Sequence, residues 1–362
     1  MKLRFGLAVL AAIALALPVA AEDKVVHVYN WSDYIDKDVL ADFTKETGIK
    51  VVYDTYDSNE VLETKLMAGK TGYDVVAPTS YALARQIQAG VHRKLDKAKL
   101  PNLKHMSPVI AERMARYDPG NAHAVVYMWG TTGIGYNAKK IAERMPDAPT
   151  GSLRMLFDPN VVKRFADCGV NVLDDAAELF PAALKYLGLD PDSKQMADLE
   201  KAEKALMAIR PYIRKFHSSQ YIEDLANGDT CLAFGWSGDI LQAKARAAEA
   251  KSGVEIVYKI PREGAQMWFD SFAIPADAPH PDAAHAFIDY MMRPEVIARC
   301  TNAVSYPNGN KDADRFVEAA IKQDPEIYPP PARIATLFTI SPYAQRQQTQ
   351  LNRMWTRIKA GQ

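Results

Sequence analysis

The sequence has 362 residues, with 44 basic and 44 acidic side chains and an ordinary share of hydrophobic residues. A chain of this length exceeds one ordinary hydrophobic core and predicts two domains. Its balanced charge excludes the electrostatic basis of nucleic-acid binding, so no nucleic-acid partner is expected.

The first 21 residues have the three parts of a secretory signal peptide. Lys2 and Arg4 form a basic start, residues 5–17 an apolar run, and small residues end at Ala21. The run is too short for a stable bilayer anchor, and no cysteine near the cleavage site offers a lipid attachment point. Removal of residues 1–21 takes away two basic groups and leaves a slight acidic excess. We therefore predict a freely diffusing periplasmic protein.

Strand and helix patterns alternate from residue 25 onward. Strands are predicted at residues 25–29, 49–53 and 73–77, and helices at residues 39–47, 59–67 and 81–89. Repeated strand-helix-strand units imply a mostly parallel sheet with helices on both faces. The predicted fold class is α/β.

The middle of the chain begins a second unit of the same kind. A β-prone run at residues 124–129 continues into a glycine-rich segment, and we interpret Gly133 and Gly135 there as a hinge turn at the first crossing between lobes. The chain is expected to cross back near residues 258–261. The predicted lobes are residues 22–132 plus 261–306, and residues 133–260 plus 307–362 with the C-terminal helices.

The motifs of common enzymes do not occur in the sequence. It has no G-x-S-x-G elbow, H-E-x-x-H pair, P-loop or dinucleotide fingerprint. The seven histidines are scattered and form no pair at metal-ligand spacing. We therefore expect a binding protein without catalytic residues, metal or cofactor.

Three short segments combine an aromatic ring with a carboxylate, and they lie where predicted strands end. They are Trp31-Ser32-Asp33-Tyr34, Trp236-Ser237-Gly238-Asp239 and Trp268-Phe269-Asp270. Open α/β sheets bind ligands beyond the carboxyl ends of their strands, so we expect these segments to face a cleft. Carboxylates and stacked rings suit a flexible ligand with positive ends and methylene stretches, and each cation-π contact contributes about 0.5–2 kcal/mol.

Each segment also has a purely structural interpretation. Ser32 or Asp33 could cap the helix that follows, and Asp239 could cap another, with the tryptophans as core residues. Asp270 fits this interpretation less well, because an acid within an apolar strand needs a partner. The occurrence of three such segments favours a binding site.

The three cysteines, Cys168, Cys231 and Cys300, leave two arrangements open. Cys168 and Cys231 each adjoin an apolar strand and could pair in an oxidising compartment, whereas Cys300 lies in a helical pattern. The alternative is three unpaired core thiols.

Several stretches resemble the periplasmic putrescine- and spermidine-binding proteins of bacterial polyamine ABC importers. They are Tyr29-Asn30-Trp31-Ser32-Asp33-Tyr34-Ile35, Trp129-Gly130-Thr131-Thr132-Gly133-Ile134-Gly135-Tyr136-Asn137, Phe216-His217-Ser218-Ser219-Gln220-Tyr221-Ile222, Leu225-Ala226-Asn227-Gly228-Asp229 and Ala276-Asp277-Ala278. The likeness covers almost the whole mature chain. It implies a type II periplasmic-binding fold of two hinged lobes, and a monomer that carries a polyamine to membrane permease subunits.

The resemblance also implies a set of ligand-binding positions and a disulfide. The ligand contacts would be Trp31, Ser32, Asp33, Tyr34, Thr79, Tyr81, Glu178, Ser218, Trp236, Asp239, Trp268, Asp270 and Tyr306. Asp239 and Asp270 would meet one amine, and Glu178 or Asp33 the other. The disulfide would join Cys168 to Cys231.

Departures from the family pattern bear on which polyamine binds. Tyr81, Asp175 and Trp268 resemble the residues of the spermidine receptors, where a third amine needs another carboxylate. The sequence as a whole is nearer to the putrescine receptors. Ile340 stands where the spermidine class tends to have a polar group. The hypothesis is a receptor for both ligands, with Asp175 added to the site. Competing hypotheses are a receptor for another cationic solute, an enzyme on the same scaffold, and a ligand sensor.

Overall fold

The computed structural model describes residues 24–362, so the predicted signal peptide at residues 1–21 lies outside the described residues. The strands are β1 Val25–Trp31, β2 Lys50–Tyr56, β3 Val75–Val76, β4 Ala124–Asn137, β5 Val170–Val172, β6 Lys215–Phe216, β7 Leu232–Trp236, β8 Ile256–Lys259 and β9 Met267–Ala273. Among residues 24–362, no helix combines the length and apolar character needed to cross a membrane.

Sixteen α-helices are assigned within the described residues. They are α1 Lys37–Thr47, α2 Asn59–Ala68, α3 Ser80–Gln88, α4 Pro108–Met114, α5 Ala138–Arg144, α6 Arg154–Phe157, α7 Pro159–Val162, α8 Ala176–Tyr186, α9 Met196–Ile209, α10 Tyr221–Ala226, α11 Ser237–Glu249, α12 Pro281–Met291, α13 Pro294–Val304, α14 Ala319–Lys322, α15 Pro331–Ile334 and α16 Gln345–Ala360. Most elements predicted from periodicity are present, with ends shifted by a few residues. The third strand is shorter than predicted, since only Val75–Val76 pairs with its neighbours.

Two sheets share the long strand β4. Strands run in the order β2-β1-β3-β9-β4-β7-β5-β6, with β8 also paired to β4. The first half of β4 pairs with β9 and its second half with β7 and β8, all antiparallel. The strands outside this centre are parallel to one another, β1 with β2 and β3, and β5 with β6 and β7. Each half therefore forms a strand-helix lobe, which confirms the predicted α/β class.

The buried apolar side chains form two separate cores. One is built mainly from residues 26–129 and 267–317, and the other mainly from residues 134–260 and 327–358. Ala313 and Val317 pack in the first core, although the predicted boundary at residue 306 assigns them to the second lobe. By packing, lobe 1 therefore extends beyond that boundary.

The glycines of β4 lie inside the strand. The prediction of a hinge turn at Gly133 and Gly135 is therefore wrong. A Cβ on Gly133 would lie 2.5 Å from the carbonyl oxygen of Lys259, and one on Gly135 would lie 2.7 Å from the Ile240 side chain. These positions need glycine because neighbouring elements approach closely, and a sequence pattern does not distinguish this need from that of a turn.

Candidate ligand-binding site

Much of the site is assembled from segments that follow the carboxyl ends of strands in both lobes. Trp268 and Asp270 instead lie inside β9, so the prediction that their segment follows a strand end is wrong. In lobe 1, Trp31 ends β1, and Asn59 and Thr79 follow β2 and β3. In lobe 2, Ser218 follows β6 and Asp239 follows β7. Parallel strands bring their carboxyl ends to one edge of a sheet, so each lobe presents these side chains to the other.

A narrow cavity lies between these segments. It is lined by Trp31, Ser32, Tyr34, Asn59, Thr79, Glu178, Ser218, Trp236, Asp239, Trp268, Asp270 and Tyr306. The structure thus brings together most of the residues singled out in the sequence. Asp33, Tyr81 and Asp175 are not among the lining residues, and Asn59 is an addition.

Asp270 lies in the middle of β9 with a buried side chain. The Thr79 hydroxyl donates to its Oδ1 at 2.7 Å. Burial raises the pKa of Asp270 to about 7, although the Thr79 hydrogen bond lowers it. A carboxyl group in this condition is poised to ionise when a cation arrives.

Asp239 lies in the first turn of α11 and accepts hydrogen bonds from two tyrosine hydroxyls, Tyr306 at 2.7 Å and Tyr221 at 2.9 Å. Its side chain caps no backbone N–H, so the helix-cap interpretation is wrong. Burial raises the pKa of Asp239 to about 7, against the lowering effect of both hydroxyls.

Glu178, in the first turn of α8, supplies the third carboxylate of the cavity. The Thr132 hydroxyl donates to its Oε2 at 2.7 Å, and the Trp236 indole N–H donates to its Oε1 at 3.3 Å. Burial raises the pKa of Glu178 above its usual range. Three acids in one cavity, without a basic residue among the lining side chains, select for a cationic ligand.

Aromatic side chains enclose these carboxylates. The rings of Trp31 and Trp236 meet edge to face at 5.5 Å between centroids, across the two lobes. Trp268 and Tyr306 are in edge contact at 5.4 Å. The hydroxyl of Tyr34 is buried and faces Asp270, whose pKa it lowers. The rings provide apolar walls for methylene groups.

Asp33 has a different place from the one expected. Its carboxylate is 44% exposed and accepts a hydrogen bond from the guanidinium of Arg246 at 2.8 Å, across the lobes. Helix α1 is capped by Asp36, which accepts from the backbone N–H of Asp38, so the cap interpretation of Ser32 and Asp33 is wrong. Ser32 does line the cavity.

Tyr81 and Asp175 form a hydrogen-bonded pair beside the cavity. The Tyr81 hydroxyl donates to Asp175 Oδ2 at 3.2 Å, and Asp175 caps α8 through the backbone N–H of Ala177. Burial, followed by the charges of Glu60 and Glu178, raises the pKa of Asp175 well above its usual range. Asn59, which the sequence analysis missed, donates to the Tyr81 hydroxyl at 2.9 Å. Its position just after a strand was the only available signal.

The cysteine arrangement is also decided. Cys168 and Cys231 form a disulfide within lobe 2, as the resemblance implied. Cys300 is buried in α13 and has no disulfide partner among residues 24–362, and burial raises the pKa of its thiol to about 11.

Two lobes joined by the shared strand β4, with a polar and aromatic cavity between them, define the class of two-lobed solute receptors. The chain belongs to the bacterial extracellular solute-binding protein family, whose profile matches residues 38–329.

Individual relatives agree with this assignment. The chain is 51% identical to the putrescine-binding periplasmic protein SpuD of Pseudomonas aeruginosa, with all of both chains covered. It is 49% identical to the putrescine-binding periplasmic protein PotF of Escherichia coli, over 95% of this chain and 93% of that one. A solved structure described as a putative spermidine/putrescine ABC transporter from Listeria monocytogenes has a TM-score of 0.84 and 30% identity, covering 94% of this chain and 100% of the other. These findings confirm the resemblance and the two-lobed fold.

Proposed function

We propose that this protein is the periplasmic solute-binding component of a polyamine ABC importer. It captures putrescine, spermidine or both between its lobes and delivers the ligand to membrane permease subunits. The observation that carries the proposal is the cavity itself, which places three buried carboxylates among tryptophan and tyrosine rings without a basic lining residue. Ammonium groups match the carboxylates, and the rings match methylene stretches.

The relatives support the same ligand class. SpuD and PotF carry the word putrescine in their names, and both align with this chain over nearly its full length. The names of these relatives support a periplasmic location, and the proposal assigns the protein no catalysis. The protein acts as a monomer in this proposal.

The proposed contacts follow the geometry of the cavity. Asp270 and Asp239 bind one ammonium group, and Glu178 binds the other. Trp31, Trp236 and Trp268 enclose the methylenes between them. In this assignment Tyr81 and Asp175 lie just beyond the lining residues, where a longer ligand with a third amine would extend.

Calorimetric titration of the purified mature protein with putrescine, spermidine and spermine tests the proposal. Binding of putrescine and spermidine with micromolar or tighter affinity is expected, with arginine and a neutral diol of similar length as controls. No heat with any polyamine would overturn the proposed function and favour another cationic solute. Tight putrescine binding beside undetectable spermidine would overturn the dual ligand alone.

A further inference from the structure

Asn59 is a buried asparagine at the wall of the cavity with no assigned role so far. It is the first residue of α2 and is 1% exposed. The side-chain amide contacts Thr79 and Tyr81, the two hydroxyls that donate to Asp270 and Asp175.

One contact fixes the orientation of the Asn59 amide. The backbone N–H of Thr79 donates to Asn59 Oδ1 at 3.2 Å. A backbone N–H can only donate, so the amide oxygen must face it and the NH₂ group must face the other way.

The NH₂ group of Asn59 then determines that the hydroxyls of Thr79 and Tyr81 act as hydrogen-bond acceptors toward it. It donates to Thr79 Oγ1 at 3.1 Å and to the Tyr81 hydroxyl at 2.9 Å. An amide NH₂ cannot accept a hydrogen bond, so each hydroxyl accepts on this side and keeps its single proton for another partner.

The two remaining protons point to acids in different lobes. Thr79 donates to Asp270 Oδ1 at 2.7 Å, and Tyr81 donates to Asp175 Oδ2 at 3.2 Å across the lobe boundary. Hydrogen bonds to ionised acceptors are about twice as strong as neutral ones, so each donation favours the carboxylate form.

We propose that Asn59 is a positioning residue that sets the direction of both hydrogen-bond chains, so that Asp270 and Asp175 are held as acceptors before the ligand arrives. The inference rests on the proposed function for its consequence in binding. Asn59 acts through the hydroxyls of Thr79 and Tyr81. It thereby links the hydrogen bond to Asp270 in lobe 1 with the hydrogen bond to Asp175 in lobe 2.

The groups around Asp270 and Asp175 explain why the direction of these hydrogen bonds affects the ionisation of both acids. Asp270 faces the acid Asp239 and the hydroxyl of Tyr34. Asp175 faces Glu60 and Glu178, while Arg85 lies near Tyr81. The neighbouring acids oppose ionisation of both groups. The hydroxyl donors that Asn59 directs favour it.

The test compares Asn59→Leu with Asn308→Leu, a control outside the cavity. Asn308 has matching contacts, because its Oδ1 accepts from a backbone N–H and its Nδ2 donates to the hydroxyl of Thr301 at 2.9 Å. Dissociation constants for putrescine are measured by calorimetry between pH 5.5 and 8.5, with thermal unfolding of each variant. Asn59→Leu is expected to weaken binding about tenfold near pH 7 and to move the pH profile upward, unlike the control.

A double-mutant cycle separates positioning from a structural role. In the Thr79→Val and Tyr81→Phe background, Asn59→Leu should have little further effect on affinity. An additive cycle, or weaker binding with an unchanged pH profile, would overturn the inference.

A measurement without ligand keeps the inference apart from the proposed function. Carbon NMR titration of the aspartate carboxyls should show a higher pKa for Asp270 in Asn59→Leu than in the parent protein. Equal pKa values would overturn the inference even if polyamine binds. A raised value without polyamine binding would support it and count against the proposed function only.

Discussion

At the scale of single residues, the acids of the cavity are partly protonated near neutral pH when no ligand is bound. Asp270 and Asp239 each combine deep burial with hydroxyl donors, and burial raises the pKa of each to about 7. A dicationic ligand supplies the missing charge. The acids proposed to bind the ligand are therefore those whose burial lowers the stability of the empty protein.

Asp270→Asn is expected to weaken putrescine binding at least about thirtyfold, because one ammonium loses its ionised partner. The free energy of unfolding of the ligand-free protein at pH 8 should stay equal or rise, since the amide carries no charge. Calorimetry and urea unfolding check both. The control is Asp74→Asn, a buried acid of lobe 1 that accepts from the backbone N–H groups of His27 and His280. It should lower stability and leave affinity unchanged. Lower stability with unchanged affinity in Asp270→Asn would show that Asp270 has a purely structural role.

Affinity for putrescine is expected to increase as the pH rises from about 5.5 to 8. The raised pKa values mean that the empty folded protein holds protons on Asp239, Asp270 and Glu178 that the ligand must displace. Calorimetry in two buffers of different ionisation enthalpy should detect proton release below about pH 8, where the pKa of Glu178 lies. A pH-independent constant without proton release would contradict this assignment.

The raised pKa values of Asp239 and Asp270 also affect the stability of the ligand-free protein. Between about pH 4 and pH 7 the folded ligand-free protein binds more protons at these two acids than the unfolded chain does. Their contribution to the unfolding free energy therefore falls as the pH rises through this window, and it is largest on the acid side. Saturating putrescine should remove that fall, because the bound cation lowers the pKa of both groups.

At the scale of elements, β4 is the strand that both lobes share, and close contacts on both of its sides explain its glycines. Gly130 faces the indole of Trp268, where a Cβ would lie 2.6 Å away. The absence of a side chain at Gly130 thus allows Trp268, in the cavity wall, to pack directly against β4.

Gly133→Ala is expected to lower the free energy of unfolding by about 1–3 kcal/mol, because the new methyl group meets the Lys259 carbonyl, which the sheet holds in place. Gly151→Ala is the control, since no atom lies within 4 Å of its added Cβ and its backbone is not left-handed. Urea unfolding measures both variants. Equal stability of the two would contradict the close-contact explanation.

At the scale of the whole molecule, one face of α11 lies along lobe 1 outside the cavity. Gln242 donates to the carbonyl oxygens of Asp33 and Val304, and Arg246 pairs with the Asp33 carboxylate. Gln242 and Arg246 lie at helical spacing from the cavity residue Asp239, so this face of α11 continues beyond the cavity. Contacts of this kind exist only when the lobes are together, so they contribute to the closed form without touching the cavity.

Arg246→Met is expected to weaken putrescine binding about two- to fivefold, the effect of a partly exposed ion pair. Asp33→Asn should have a similar effect, and the double variant should be no worse than Arg246→Met alone, because both changes break the Asp33–Arg246 pair and the other partner of Arg246, Glu223, lies within lobe 2. Affinities come from calorimetry and the closed fraction from small-angle scattering. Arg144→Met is the control, since Arg144 pairs with Asp167 within lobe 2. If Asp33 instead contacts the ligand, Arg246→Met will be neutral.

The sequence by itself determined the α/β class, the first strands and helices of lobe 1, and most of the residues that line the cavity. These features follow from local periodicity and from the tendency of ligand residues to sit at strand ends, which residues near in the chain specify. Only the tertiary structure decided that Asn59 joins the site, that Asp33 pairs with Arg246, and that the β4 glycines serve close packing. Each of these depends on neighbours distant in the chain, such as Asp33 and Arg246, which are 213 positions apart. Contacts of that kind are decided by how two lobes pack, and no local pattern encodes them.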